Sequence, residues 1–516
     1  MALHRFAQNT FFATLAGLSS ALAGLAASII VARMMGPDGA GAVALAVWIA
    51  GTAVTLGDLG LPLTISRFLP GLDARGARAD AAALPGLLIP ALLATTAVGV
   101  GVSGAAFLAV PAIERLQPGL LGGAGLPPSA WLAIAALFAA QALGNYGLAR
   151  LRGEQRFGLA ARVSIAAALM QVAGVGVGCA WFGVDGALLG YALGSVAPAF
   201  FLPRPRRAAG GVDPALRRRA WRFALDSWGA GLISVIVWTR SELAFLNYWR
   251  GPHETGLYAV AITLCLIAAQ GPLLMTGGLL ALLSERHARG DQEGLARGYA
   301  GALRFVGALL FPACFGMAAI APVLLPTFFG PAFAPAAPVA TFLVAAQAFG
   351  SITTVASTLL FATEKNRFLV HTGLLGALAL LVAGVTIIPA FGLMGTAAAR
   401  VTIQCVLAGA AFLYVDRLLG CRAPYGALAR IVAAAALCGL AARWIVVLLP
   451  TQAGLALAIG AGVCVYAGAL GLLRPFTRED LAQLATLADR FPRFAGATAP
   501  LLARLGAQPA APKRGA

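Results

Sequence analysis

The sequence predicts an all-α polytopic membrane protein of about 14 transmembrane helices, built as two parallel six-helix lobes followed by two further helices. Three observations lead there. Of the 516 residues, 60% are hydrophobic and 11% charged, whereas a soluble domain carries about 25% charged residues. So little polar surface cannot cover a water-soluble fold. Apolar runs recur along the chain at the length needed to cross a hydrocarbon core, about 20 residues for about 30 Å, without the alternating strands of a β-barrel. Landmarks of the first half then return in the second at a nearly constant offset.

The spans run near 10–32, 41–64, 83–107, 129–149, 163–181, 185–202, 223–249, 256–283, 302–325, 336–361, 368–389, 392–416, 428–449 and 453–473. The first follows "MALHRF", a start that resembles a secretory signal. The run is long, no loop chemistry follows it and it has an internal partner, so a retained first helix is expected. Connections are short, and the loop 108–128 is rich in Gly and Pro.

Cytoplasmic loops retain positive charge. With the N-terminus inside, the inner loops and the tail collect nearly all of the 37 Lys and Arg; only Arg33, Arg115, Arg240, Arg250, Arg400 and Arg443 fall elsewhere. Both termini are therefore expected in the cytoplasm, in a bacterial inner membrane. The net charge of +18 is a topology signal that should meet anionic membrane lipids. A nucleic-acid partner is excluded, since no soluble basic face with interleaved aromatics is present.

Gly36-Pro37 with Gly41, between spans 1 and 2, matches Gly251-Pro252 with Gly256, between spans 7 and 8, at an offset of 215. "FGVDG" from Phe182 matches "FGLMG" from Phe391, and "EQRF" ending at Phe157 matches "EKNRF" ending at Phe368, at offsets of 209 and 211. Six spans separate each pair, so the copies run parallel, as in transporters whose lobes are related by an axis normal to the membrane. Proline should stop each helix and glycine permit a tight reversal.

The division expected is an N-lobe over 1–203 and a basic cytoplasmic loop over 204–222. A C-lobe over 223–417, two further helices over 418–474 and a cytoplasmic tail over 475–516 follow. In the tail, Thr477 can cap a helix with Asp480 three residues on. Leu481, Leu484, Leu487, Ala488 and Phe491 then share one face, as in a helix lying on the membrane surface; a solvated tail is the alternative.

The stretches "ARMMGPDGAG", "LGDLGLPLTISRFL" and "WTRSELAFLNYWRGPHETGLYAVA", in this order, resemble bacterial polysaccharide flippases. That family lies in the multidrug/oligosaccharidyl-lipid/polysaccharide (MOP) exporter superfamily. The matching positions are Arg33 to Gly36, Asp58 to Arg67, Arg240 with Glu242, and Gly256 with Tyr258; "LLPTFFGPAFAPAAP" also fits. The resemblance covers roughly residues 8–416. It implies a MATE/MOP-like fold and the flipping of an undecaprenyl-pyrophosphate-linked oligosaccharide for polysaccharide or O-antigen export. Membrane lipids, a polysaccharide polymerase and glycosyltransferases are the implied partners.

Ionisable groups within the spans are few: Asp58, Asp226, Arg240, Glu242, Arg400 and Arg443, with Arg33 at a helix end. Each costs about 2.5–3.5 kcal/mol or more at the bilayer centre, so it should face a cavity or a partner. A guanidinium binds phosphate through a bidentate fork. Arg240, two-thirds along span 7, is therefore the first candidate for the pyrophosphate, with Arg33 and Arg400 as further substrate-binding candidates. Arg240 in a structural ion pair, and Arg33 snorkelling to the interface, are the bland alternatives. Glu242 cannot share a helix face with Arg240; it could pair with Arg400 or Arg33, or take up a proton. Asp58, beside Gly57, Gly60 and Pro62, suits a hinge or could satisfy backbone groups freed by Pro62. Asp226 joins Asp58 and Glu242 as a coupling or gating candidate, and Arg443 is expected to snorkel.

The seven cysteines are scattered without CxxC or Cys/His spacing, which reads as packing. No metal, cofactor or catalytic residue is expected, and no GxxxxGK[ST] motif is present. A lipid II flippase is an alternative, although span 1 carries no charge before Arg33. A cation-coupled multidrug antiporter usually has more cavity acids. A membrane polymerase or ligase needs a large catalytic outer loop, which this chain lacks.

Overall fold

The computed structural model describes residues 2–116, 126–203, 213–238, 240–274, 276, 279–477 and 480. Among these, thirteen α-helices form: α1 Ala2–Gly57, α2 Leu61–Ala74, α3 Arg78–Leu116, α4 Ala130–Gly153, α5 Phe157–Ala199, α6 Pro214–Trp238, α7 Glu242–Leu274, α8 Leu279–Ala288, α9 Gln292–Phe329, α10 Ala337–Ala362, α11 Asn366–Leu418, α12 Tyr425–Leu448 and α13 Gln452–Leu473. A 3₁₀ helix, Pro331–Ala336, precedes α10. Ten helical stretches among the described residues are long and apolar enough to cross a membrane, and the chain is a multi-pass membrane protein.

Thirteen helices accommodate the fourteen spans because several connections are not loops. A 56-residue helix at 1.5 Å per residue would reach about 84 Å, far beyond one bilayer core. It is instead two arms joined at Gly36, which has φ 67° and ψ −170°. Only a residue without Cβ takes this conformation cheaply. Pro37 opens the second arm, where its missing N–H is no loss; it starts a helix rather than stopping one. Gly251 repeats the conformation in α7, with φ 81° and ψ −178°. A second pair joins the arms of α5 and α11: Gly183 (φ 56°, ψ −129°) and Gly392 (φ 54°, ψ −134°). The sequence repeat is thus a repeat of backbone conformation.

The structure corrects one pairing. The turn before α5 places Gln155 at φ 58°, and the turn before α11 places Glu364 at φ 58°. The matching hydrogen bonds run from Arg156 N to the Leu151 carbonyl and from Lys365 N to the Leu360 carbonyl, each 2.9 Å. Phe157 therefore corresponds to Asn366 and not to Phe368, and the offset is 209, as for Gly183 and Gly392. A further match lies in "ARG" at 74–76 and 288–290. Gly76 and Gly290 have φ 72° and 70°, and each closes its helix with the same backbone pattern.

Three expected spans are each divided between two helices; span 8 (256–283) is shared by α7, which ends at Leu274, and α8, which begins at Leu279. Span 2 (41–64) stops at Gly57 and resumes as α2 at Leu61, with Leu59 at φ 49° and Gly60 at φ 69° between. Span 7 (223–249) stops at Trp238 and resumes as α7 at Glu242. Window-averaged hydropathy misses the breaks in spans 2 and 7, because the few polar residues there, Asp58 in the first and Arg240 and Ser241 in the second, are flanked on both sides by apolar runs. The expected loop 204–222 ends early, since α6 begins at Pro214; residues 204–212 and the tail beyond 480 lie outside the described residues.

Contacts divide the chain into two compact units. The first comprises Met1–Thr263, Phe328–Pro335 and Val370–Arg400. Within it α5 packs on α1 and α4, and α3 on α4. The arms of α5 meet backbone to backbone, Gly174 against Gly190 and Gly178 against Gly186, the close approach that small residues permit between membrane helices. The Tyr146 hydroxyl donates to the Pro85 carbonyl at 2.6 Å, joining α4 to α3. The second unit comprises Leu264–Thr327, Ala336–Leu369 and Val401–Ala516. There α12 lies along α13, and Ala319 and Ile320 of α9 pack with Ala442, Val446 and Ala458. Tyr466 of α13 donates to the Ala308 carbonyl at 2.6 Å. The capping box forms: Asp480 Oδ2 accepts from Thr477 N at 2.8 Å, and Thr477 Oγ1 accepts from Asp480 N at 3.3 Å.

Candidate functional site

The site is built around the break between α6 and α7, within the first unit. Arg240 does not lie on a helix, as span 7 implied; it has φ 64°. Such left-handed backbone costs a non-glycine residue roughly 1–2 kcal/mol and marks places where surroundings hold the chain against its preference. The break is closed by a tight turn, Leu243 N donating to the Arg240 carbonyl at 3.0 Å and Ala244 N to the Ser241 carbonyl at 3.1 Å.

Glu242 follows in the first turn of α7, where the helix N-terminus favours negative charge. Its side chain is only 2% exposed. Oε1 accepts from the Arg400 guanidinium of α11 and from the Tyr258 hydroxyl at 3.1 Å. Of the two partners the sequence left open, the structure joins Arg400 to Glu242. Arg33 has a different bond: its Nε donates to the Phe328 carbonyl at 2.7 Å, and its side chain is exposed.

The Arg240 guanidinium lies within electrostatic reach of Tyr191, on the second arm of α5. Tyr191 and Arg400 are themselves 209 residues apart, the offset that relates Gly183 to Gly392. Glu242 thus bonds, in Arg400, the residue that the repeat relates to Tyr191. Asn247, further along α7, is buried with an amide oxygen that has no donor among the described residues.

Asp58 lies in the first break, not in a helix. Its Oδ1 accepts from Gly60 N at 2.8 Å, and Pro62 sits in the first turn of α2. The backbone group it satisfies is therefore freed by the break and not by Pro62. α6 crosses here: Trp228 Nε1 donates to the Leu56 carbonyl at 3.1 Å, and a methyl on Gly60 would strike the Ala224 carbonyl. Asp226 is exposed on α6, and Arg443 is exposed on α12.

The two Gly-Pro turns touch each other reciprocally. A Cβ on Gly41 would collide with the Pro252 carbonyl, and one on Gly256 with the Pro37 carbonyl. Asp38 and His253, equivalent positions 215 residues apart, meet with Oδ2 to Nδ1 at 3.3 Å. These contacts have a local two-fold relation, and they explain the last glycine of each motif as a close approach of backbone to backbone. Sequence reasoning also missed the ties between α7 and the reversal in α11. Arg250 donates to the Pro389 carbonyl at 2.8 Å, Glu254 accepts from Leu393 N at 2.8 Å, and Trp249 donates to the Gly384 carbonyl at 3.1 Å. Their signal was a charged, aromatic stretch, "YWRGPHE", beside one of the repeated glycines. Among the described residues no group of His, Cys, Asp and Glu is placed to hold a metal ion.

A half-buried cation at a helix break, next to the N-terminus of α7, is an arrangement that receives anions in transporters with discontinuous helices. Residues 6–279 match the family model described as polysaccharide biosynthesis protein. Among solved structures, the chain is similar to an inward-facing multidrug resistance MATE family transporter of the MOP superfamily. That match has 16% identity and TM-score 0.60, covering 78% of this chain and 94% of that one. It is also similar to the lipid II flippase MurJ in an inward closed conformation, at 14% identity and TM-score 0.58, covering 90% and 98%. A MOP superfamily transporter from Pyrococcus furiosus is similar at 15% identity and TM-score 0.51, covering 81% and 95%. No curated protein sequence matches the chain. With the family model spanning more than half its length, the chain belongs to the polysaccharide biosynthesis protein family, on a fold shared with MOP-superfamily transporters.

Proposed function

We propose that this chain is a flippase, not an enzyme, that moves an undecaprenyl-pyrophosphate-linked oligosaccharide across the bacterial inner membrane by alternating access. Both termini lie in the cytoplasm in this reading, and the six-span halves, 1–203 and 223–417, are the rocking lobes. Substrate arrives from glycosyltransferases and leaves toward a polymerase. The observation that supports this most directly is Arg240, a guanidinium at the break between α6 and α7 in a chain of this family. Arg400, already engaged by Glu242, serves as a positioning group for the break, and Arg33 as a contact near the α9 end. Glu242, Asp58 and Asp226 are the residues through which coupling or gating would act.

The test uses cells whose polysaccharide export depends on this chain. Arg240→Gly keeps a residue suited to the left-handed backbone and removes the cation. Protein abundance should hold while lipid-linked sugar accumulates on the inner leaflet. Arg240→Lys should also be impaired, because a point charge replaces the fork. Normal export by Arg240→Gly would remove Arg240 from the substrate site. Accumulation of lipid II instead of the sugar-linked lipid would identify the peptidoglycan precursor as the cargo.

A further inference from the structure

A second concentration of cations lies away from the α6–α7 break, where α2 meets the start of α6. Arg67, Phe68, Gly71, Leu72 and Arg75 from α2 and its end, with Arg219 and Phe223 from α6, line a cavity of about 380 Å³. The construction is interlocked. The Arg67 guanidinium sits over the Phe223 ring at 4.5 Å, and that of Arg219 over the Phe68 ring at 5.6 Å. The two rings meet edge to face, 5.7 Å apart. Each cation is thereby held on the other helix's aromatic face, which fixes the direction of its donors.

Among the described residues no carboxylate lines the cavity, and none pairs with Arg67, Arg75 or Arg219. Three like charges lining one cavity repel one another. Unpaired arginines at a surface are free to spread into solvent, yet two of these are stacked in place. Gly71 lines the cavity, a Cβ there would meet nothing, and the volume is ample for a tetrahedral phosphate group.

We propose that this pocket binds a phosphate-bearing anion, gripped by Arg67, Arg75 and Arg219 above the Phe68–Phe223 pair. Planar guanidinium forks match phosphate oxygens, and the phenyl groups exclude water from one side. The anion is either a free polyphosphate or the headgroup of an anionic phospholipid. The basic segments at both ends of the pocket belong to the side that the charge pattern makes cytoplasmic.

The experiment takes the full chain in neutral detergent and follows its melting temperature and, by native mass spectrometry, its bound species. The probes are inorganic pyrophosphate, dioctanoyl phosphatidylglycerol and, as the uncharged-headgroup control, dioctanoyl phosphatidylcholine, all at matched ionic strength. Pyrophosphate or phosphatidylglycerol should stabilise the wild type; whichever acts identifies the source of the phosphate. Arg67→Gln and Arg219→Gln should each weaken that binding about tenfold or more, the loss expected from one charge-assisted contact. Arg297→Gln, on an exposed helical ion pair with Glu293, should leave it unchanged. Should a glutamine variant fail to fold, Arg67→Lys preserves charge and should still lose affinity, because the fork and its ring contact are gone. Equal weakening in Arg297→Gln, equal stabilisation by sodium sulfate, or no response to either anion would overturn the proposal.

Discussion

Glu242 is the residue on which the first unit's electrostatics turn. A carboxylate buried among helices is tolerated only because Arg400 and Tyr258 both donate to it. Removing one partner of such a pair costs roughly 3–5 kcal/mol, since the other charge stays buried and uncompensated. Arg400→Ala should therefore lower the melting temperature sharply in detergent, and Glu242→Gln combined with Arg400→Gln should recover most of the loss. Tyr258→Phe should cost less, about 1.5–3 kcal/mol, the range of a hydrogen bond to a charged group. If the double variant is no more stable than Arg400→Ala, the pair is not what holds Glu242 in place. The sequence exposed all three residues, Glu242 and Arg400 as rare intramembrane charges and Tyr258 within a family motif. It could not choose between Arg33 and Arg400, because that choice depends on how α7 and α11 pack, which no local spacing encodes.

At the level of elements, the breaks and reversals were legible where glycine marked them and hidden where it did not. Gly36, Gly183, Gly251 and Gly392 stood out as repeated punctuation, and Gly57, Gly60 and Pro62 marked the break at Leu59 as a hinge; the left-handed turn at Arg240 has no glycine beside it and gave no local sign. The reciprocal packing of the Gly-Pro turns yields a direct expectation. Gly41→Ala and Gly256→Ala each insert a methyl into the facing backbone, and overpacking of this kind costs typically about 1–3 kcal/mol. The two single variants should lose similar amounts by thermal melting, and Gly24→Ala, whose added Cβ meets nothing, should lose none. A large asymmetry would contradict the local two-fold relation. In the second unit, Arg304 Nε and Nη2 donate to the two Asp480 oxygens at 2.7 and 3.1 Å. Burial alone would raise the Asp480 carboxyl; the hydrogen bonds from Arg304 and Thr477 prevail and hold its pKa below the usual value. A carboxyl whose folded pKa is depressed stabilises above its unfolded pKa, about 3.9, and loses that contribution as pH falls through the folded value. Asp480→Asn should therefore be less stable than the wild type at neutral pH. The gap between their melting curves should narrow as the pH is taken below about 4. A gap independent of pH would assign the contact to packing alone.

For the whole molecule, apolar length in the sequence marked each of the ten helical stretches that, among the described residues, are long and apolar enough to cross a membrane, since length and hydropathy follow from burying backbone in lipid. They did not reveal which stretches fuse across a glycine and which break in the middle of an apolar run. Charge placement predicts the orientation. With the exposed Cys405 and Cys464 replaced, a cysteine at Ser129 should react with an impermeant thiol reagent added outside intact cells. One at Arg289 should react only after the membrane is opened. Labelling in the opposite sense would invert the proposed topology and move the arginine-lined pocket to the outer face.

The contact between the two Gly-Pro turns has a consequence for how this sequence can change. Each turn is the other's counterpart, so neither can drift alone: a bulkier residue at position 41 narrows what position 256 accepts, and a charge altered at Asp38 is felt first at His253. Among homologues, substitutions at these positions should accompany one another in pairs 215 residues apart. Exchanging segment 36–41 for segment 251–256, and the reverse, should return to the chain a surface it already fits.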